Sequence, residues 1–304
     1  GSCEKIKRTT KTWELLFSDE FDGDTLDTSK WNFEQGDGCD LGICNWGNDE
    51  FQYYSNSSRY AYVRDGKLVI QPRYETGPEG EILKTYCRSR CAAEDQQCLY
   101  KCDYTEFSSA RLTTKGKFDV APGFDEYGLI KIDVKFRVSA GDGLWPAIWM
   151  LPTDTVYGTW AASGEIDIFE AANDMSISHG TIHYGGTWPQ NVFNGKTTRF
   201  SPDRWHRVTF YWDNISMRWR LDGRQFFNTQ TGCGTTTGWY SVPSNGMPTT
   251  LTAPFDQKFH LLINMAVGGR FTGSIPYPAA MQALSNPEEP RTFEIDWIRA
   301  YGMK

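Results

Sequence analysis

Histidine is scarce in this chain of 304 residues: there are four, at positions 179, 183, 206 and 260. His179 and His183 have the i, i+4 spacing of a helical zinc motif, but their Gly- and Thr-rich surroundings read as a strand, where such a pair cannot converge on one ion. Catalysis through a bound metal or other cofactor is therefore not expected. No apolar run reaches the roughly 18 residues needed to span a bilayer, so no membrane partner is expected. A basic excess is missing too. Lys and Arg number 31 against 38 Asp and Glu, for a formal net charge of -7, and the pI is near 5.2. Nucleic acid or an anionic polysaccharide would want a basic face, so a neutral ligand fits better. Internal repeats, heptads, low-complexity tracts and linker-like stretches are also lacking. One domain over residues 1–304 is expected, since all-β sandwiches often reach this length as one unit.

What the chain does have is aromatic mass and cysteine. It carries 12 Trp, 15 Tyr and 18 Phe, more than a core of this size requires, so some must line a surface or cleft. Short runs rich in β-branched and aromatic residues recur at 13–17, 67–71, 109–113, 127–138, 147–151, 180–184, 205–213, 217–221, 259–266 and 293–301. Many strands at such spacing predict a sandwich or barrel. Asp222-Gly223 between two of these runs is a strong hairpin signal. The eight cysteines and the sequons Asn56-Ser57-Ser58 and Asn214-Ile215-Ser216 suggest a secreted protein, with Gly1-Ser2 a cloning remnant and any signal peptide already removed.

Residues 85–104 differ in character. Cys87-x3-Cys91-x6-Cys98-x3-Cys102 on two short helical turns would bring four sulfurs to facing sides of a hairpin. The expected bonds are Cys87–Cys102 and Cys91–Cys98, although four cysteines allow three pairings and a four-cysteine zinc site is the alternative. Cys39 and Cys44 can staple their own loop, which leaves Cys3 for Cys233.

The most informative stretch is Gly164-Glu165-Ile166-Asp167-Ile168-Phe169-Glu170, three carboxylates in an apolar run. On a strand Glu165 and Asp167 share one face and the isoleucines the other. Glu170 breaks the parity and would be a buried, unpaired charge. A β-bulge near Ile168-Phe169 returns it to the acidic face. Glu165 and Glu170 are then equivalent to i and i+4, about 13 Å apart at Cα, and side chains leaning together close that to roughly 5–6 Å. That gap suits a retaining glycosidase, whereas inversion needs roughly 6.5–9.5 Å.

With Gly143-Leu144-Trp145-Pro146-Ala147-Ile148-Trp149-Met150-Leu151, His179-Gly180-Thr181-Ile182-His183-Tyr184, Trp46-Gly47-Asn48-Asp49-Glu50-Phe51-Gln52-Tyr53-Tyr54, Asn264-Met265-Ala266-Val267-Gly268-Gly269 and Asp296-Trp297-Ile298-Arg299, the E-x-D-x-x-E cluster resembles glycoside hydrolase family 16, nearest its laminarinase-like endo-β-1,3-glucanases. The 85–104 segment departs from that pattern. The resemblance implies an all-β fold, a β-jelly-roll sandwich of two curved antiparallel sheets with a concave substrate cleft. It implies Glu165 as nucleophile, Glu170 as general acid/base and Asp167 as the residue that tunes the nucleophile. Three clustered carboxyls cannot all ionise cheaply, and Glu170, beside Phe169, is expected to hold the retained proton.

Sugar rings need flat aromatic platforms and scattered hydrogen-bonding groups. Trp149 and Trp160 are the first candidates, with Trp145 divided between cleft and core. Trp13, Trp31 and Trp297 are assigned to core or structure. The family match suggests His183 beside the cleaved bond. Arg111 can hydrogen-bond sugar hydroxyls or hold the nucleophile side of the cleft, with a salt bridge elsewhere as the alternative, and Asn48 and Glu50 could contact the outer sugars. Trp188, Asn191 and Phe271 lie on loops that could rim the cleft. The resemblance also implies a structural Ca2+ on the convex side, held by Glu20, the Gly66 carbonyl and Asp296. The expected partner is a β-glucan such as laminarin, with the protein a monomer. A mixed-linkage glucan or a galactan as substrate, transglycosylation, and a non-catalytic glucan-recognition module are the competing readings; the last predicts loss of a carboxylate.

Overall fold

The computed structural model describes residues 2–304; Gly1 lies outside the described residues. Two large antiparallel sheets face each other across one core. In order, the first contains Arg224–Gln230, Ser216–Leu221, His206–Asp213, Leu129–Val138, Phe293–Met303, Lys67–Ile70 and Ala61–Arg64, with Glu14–Asp19 also paired to Phe293–Met303. The second runs Val192–Arg199, Ile177–Tyr184, Glu165–Glu170, Leu144–Pro152, Phe259–Val267, Arg111–Thr113 and Asn32–Glu34. Alternation assigns the faces. Leu144, Ile148 and Met150 are fully buried against Ile132, Val134 and Phe136 of the other sheet, while Trp145 and Trp149 stand half-buried on the outer side. The predicted jelly-roll layering is the observed one.

The expected strands are present, mostly longer than their cores of β-branched residues. Asp222 and Gly223 take φ of 50° and 81°, the two left-handed positions of a tight hairpin turn that closes Leu221 on Arg224. The strand Val192–Arg199 carries too much Asn, Gly and Lys to announce itself. The helix Gly77–Ser89 starts eight residues before the expected hairpin because Gly77-Pro78 reads as a turn, yet proline is tolerated in a first helical turn. Gln96–Cys102 follows, capped by the Asp95 carboxylate, which accepts from the Cys98 amide at 3.0 Å.

All eight cysteines are in disulfides, paired Cys3–Cys233, Cys39–Cys44, Cys87–Cys102 and Cys91–Cys98. That pairing leaves no thiolates for a zinc site. Trp31 is core, its indole donating to Asp19 at 2.8 Å. Trp13 and Trp297 instead lie half-buried outside the first sheet, under Lys131 (4.4 Å) and Arg299 (3.9 Å). The Asn214 amide of the second sequon is engaged with the backbone of Glu4 and Ile6. Among the described residues no helix is long and apolar enough to cross a membrane.

Candidate active site

The bulge is where the parity argument put it. Ala147 pairs with Glu170 and Ile148 with Phe169, then the register slips so that Trp149 pairs with Asp167. The other neighbour shows the same slip, with Asp167 opposite Thr181 and Glu170 opposite His179. Ile168 is thus the extra residue, and Ile168 and Phe169 both turn inward and are fully buried. Glu165, Asp167 and Glu170 share the outer face of the second sheet.

Each outer carboxylate has its own indole. Trp160 Nε1 donates to Glu165 Oε2 at 2.7 Å and Trp145 Nε1 to Glu170 Oε2 at 2.9 Å. Asp167, between them, lies 3.0 Å from His183 Nε2, and the same nitrogen is 3.9 Å from Glu165 Oε1. Trp145 therefore stands on the same face of the sheet as the three acids. Phe271 stacks on it at 4.9 Å, nearly parallel, and reaches His179 at 5.1 Å.

Burial decides the proton balance. Asp167 is 1% exposed, and desolvation followed by the charges of Glu165 and Glu170 pushes its pKa well above the usual carboxylate range. Glu170 is also raised, first by burial and then by Glu165, against relief from the Asp167 hydrogen bond, the His183 charge and the Trp145 indole. The single retained proton expected on Glu170 is therefore contested. Asp167 and Glu170 are both shifted toward the protonated form, and the cluster titrates as a set.

Along the strands on the other side of Leu144–Pro152, Trp149 Nε1 donates to Asn264 Oδ1 at 2.7 Å. Arg111 is 8% exposed. Its guanidinium lies between the rings of Trp46 (4.3 Å) and Trp149 (4.8 Å), and its Nε donates to Glu34 at 2.5 Å. Glu50, expected on an outer sugar, is instead buried beneath this group. It accepts from Asn48 Nδ2 and Gln52 Nε2, each at 2.9 Å; Gln52 is itself oriented by accepting the Val267 amide at 2.7 Å. A further acid near the cluster, this one buried, thus supports the cleft floor, while Asn48 remains half-buried at its edge.

Trp160 is 39% exposed and Trp188 69%. The Trp188 amide donates to the Trp160 carbonyl at 2.8 Å, which ties the two loops together. Asn191 is half-buried just before Val192–Arg199. Phe193, 71% exposed and 6.0 Å from the His183 ring, was not foreseen. Nor were the positions of Glu34, Trp46 and Asn264. Trp46 and Asn264 sit in recognisable motifs, but Glu34 has no local signal.

The calcium set does not fit. Glu20 is gripped by Arg299, at 2.6 Å and 3.0 Å, and Asp296 pairs with Lys135 at 3.2 Å. Gly66 is the hairpin turn between Ala61–Arg64 and Lys67–Ile70, with φ of 71°. Cations already neutralise both carboxylates that would hold the ion.

Desolvation pushes Glu50 from 4.5 up to about 7. A raised acid contributes stability that is complete below its unfolded value and is lost as pH climbs through the folded one. Wild-type protein is therefore expected to lose about 2.5 kcal/mol more than Glu50→Gln between pH 5 and pH 8. Urea unfolding at each pH measures this, and parallel pH curves for the two proteins would refute it. The glutamine also loses one hydrogen bond at every pH, because its amide must face one of two donors.

Comparison with known proteins agrees with this geometry. The family described as XgeA-like, catalytic GH16 domain matches residues 89–237. Glucan endo-1,3-beta-glucosidase from Cryptopygus antarcticus is 33% identical, over 95% of this chain and 92% of its own length. Glucan endo-1,3-beta-glucosidase A1 from Niallia circulans is 37% identical over 94% of this chain, which spans only 37% of that longer protein. The laminarinase catalytic domain from Thermotoga maritima superimposes with a TM-score of 0.70 at 28% identity, covering 97% of this chain and all of that one. With the bulged acid strand in place and these relatives matched along nearly its whole length, the chain belongs to glycoside hydrolase family 16, among its laminarinase-like members.

Proposed function

We propose that this protein cleaves β-1,3-glucan internally, with retention of configuration, through a covalent glycosyl-enzyme. The observation that carries the reading is the pair of glutamates on one bulged strand, each oriented by its own indole N–H, with a buried protonatable Asp167 between them. Glu165 is the nucleophile. It attacks the anomeric carbon while Glu170 passes its proton to the glycosidic oxygen, so the C–O bond breaks as the ester to Glu165 forms. Glu170, now ionised, takes a proton from water, whose oxygen attacks the same carbon and frees Glu165. Asp167, raised in pKa by burial and by both neighbours, exchanges a proton with them through hydrogen bonds and so couples their ionisation. No metal or cofactor enters these steps.

Trp149, Trp160 and the Trp145–Phe271 stack offer apolar faces to successive rings, while Asn48, Arg111 and His183 supply polar edges. Trp188 and Asn191 rim the end beyond Trp160. The chain is proposed to act as a single catalytic domain and as a monomer. Four disulfides support an extracellular site of action, and a neutral glucan suits the acidic chain. Calcium is left out of the proposal because its expected ligands are ion-paired.

Product analysis on laminarin, lichenan, curdlan and agarose tests the substrate. Laminarin should give a ladder of oligosaccharides, and proton NMR of the nascent products should show the β-anomer first. An α-anomer appearing first would overturn retention, and cleavage of agarose alone would overturn the substrate.

A further inference from the structure

The cysteine-rich hairpin is the one motif this chemistry does not use. Its helices Gly77–Ser89 and Gln96–Cys102 are cross-linked twice and pack on Tyr53 through Tyr86, Cys87 and Cys102. Their polar side chains converge on the loop at 35–50 and on Tyr53 just beyond it. Lys101 Nζ donates to Asp37 Oδ2 at 2.9 Å. Arg90 Nε donates to the Tyr53 hydroxyl at 3.0 Å, and its far nitrogen lies 3.5 Å from Asp40. The Tyr86 hydroxyl donates to the Gln35 side chain.

The loop they hold adopts a costly shape. Asn45, Trp46 and Asp49 have φ of 53°, 55° and 59°, the left-handed region that disfavours side chains and persists where surroundings impose it. That shape delivers Trp46 to the cleft. Its amide donates to the Asp37 carbonyl at 3.0 Å and its indole to the Gly36 carbonyl at 3.2 Å, leaving the ring against Arg111. Asp37 thus bonds Lys101 through its side chain and Trp46 through its backbone.

We propose that the disulfide-locked hairpin is a positioning device for a distal sugar site, acting through Lys101 and Arg90 on the 35–50 loop to set Trp46 and Arg111. The inference rests on the glucanase reading. Cross-strand register carries Glu170 to Ala147, then Asn264, then Arg111, three strand spacings or about 14 Å. A ring bound at Arg111 is therefore not the ring being cleaved. Its loss weakens long substrates without altering the acids.

Kinetics of wild type, Lys101→Met, Arg90→Met/Lys101→Met and the rescue variant Lys101→Arg on β-1,3-gluco-oligosaccharides of graded length test this. In the two Met variants KM for the longest substrates should rise about tenfold, with kcat and KM on the shortest cleaved substrate unchanged, and Lys101→Arg should restore the long-substrate KM. An equal effect at every length, or none, would overturn the positioning role. Wild-type enzyme inert on every β-glucan would instead overturn the glucanase reading. If the double variant fails to fold, Lys101→Met alone, at a side chain 36% exposed, makes the same comparison.

Discussion

Glu170→Gln is expected to slow laminarin hydrolysis by roughly 10²–10⁴-fold while leaving oligosaccharide affinity within about twofold. The glutamine keeps the shape and can still accept the Trp145 indole through its carbonyl oxygen. What it lacks is a proton for the leaving glycosidic oxygen. A glucoside with an activated phenol as leaving group needs little protonation, so its first step should survive and a burst of phenol should precede a slow steady state. Equal loss on natural and activated substrates would show that Glu170 is not the acid. Because burial raises Glu170, the alkaline limb of the wild-type kcat/KM profile should lie above the range of an ordinary carboxylate, since the acid form is the working form.

Glu165→Ala should be more severe, with a loss of about 10⁴-fold or more on every substrate, activated or not, because no covalent intermediate can form. The space left beside Trp160 and His183 can admit a small anion. Azide should then restore cleavage of the activated glucoside and give a product of inverted configuration, readable by NMR. Azide rescue of Glu170→Gln with inversion, and none of Glu165→Ala, would exchange the two roles. The mutation also relieves Asp167 of its neighbouring charge, so the remaining acids should titrate lower than in the wild type.

These two experiments concern the part of the site that was legible from residue order. A charge at the wrong parity in an apolar strand has few remedies, and the bulge at Ile168 is the cheapest. Trp160, five residues from Glu165, and Trp145 and Trp149 on the next strand followed from proximity in sequence. What could not be read was assembled by cross-strand pairing. Arg111 meets Glu34, 77 residues away, and Trp46, and nothing in the Asn32-Phe33-Glu34 stretch marks it as a strand. Glu50 looked like a sugar ligand because short motifs do not reveal depth, and its burial depends on Gln52 and Val267. The surroundings of the calcium ligands were hidden for a related reason: the cations that pair with Glu20 and Asp296 come from Arg299 and from Lys135 on another strand.

The inward turn at Ile168-Phe169 has a mechanical side. Phe169 is wedged among Phe136 (4.3 Å), Phe200 (5.5 Å) and Phe293 (6.2 Å), two of them on the opposite sheet. The spacing between Glu165 and Glu170 is thus set by a jig on the far side of the backbone. Repacking that aromatic nest would retune the reaction from behind without touching a residue that meets the sugar.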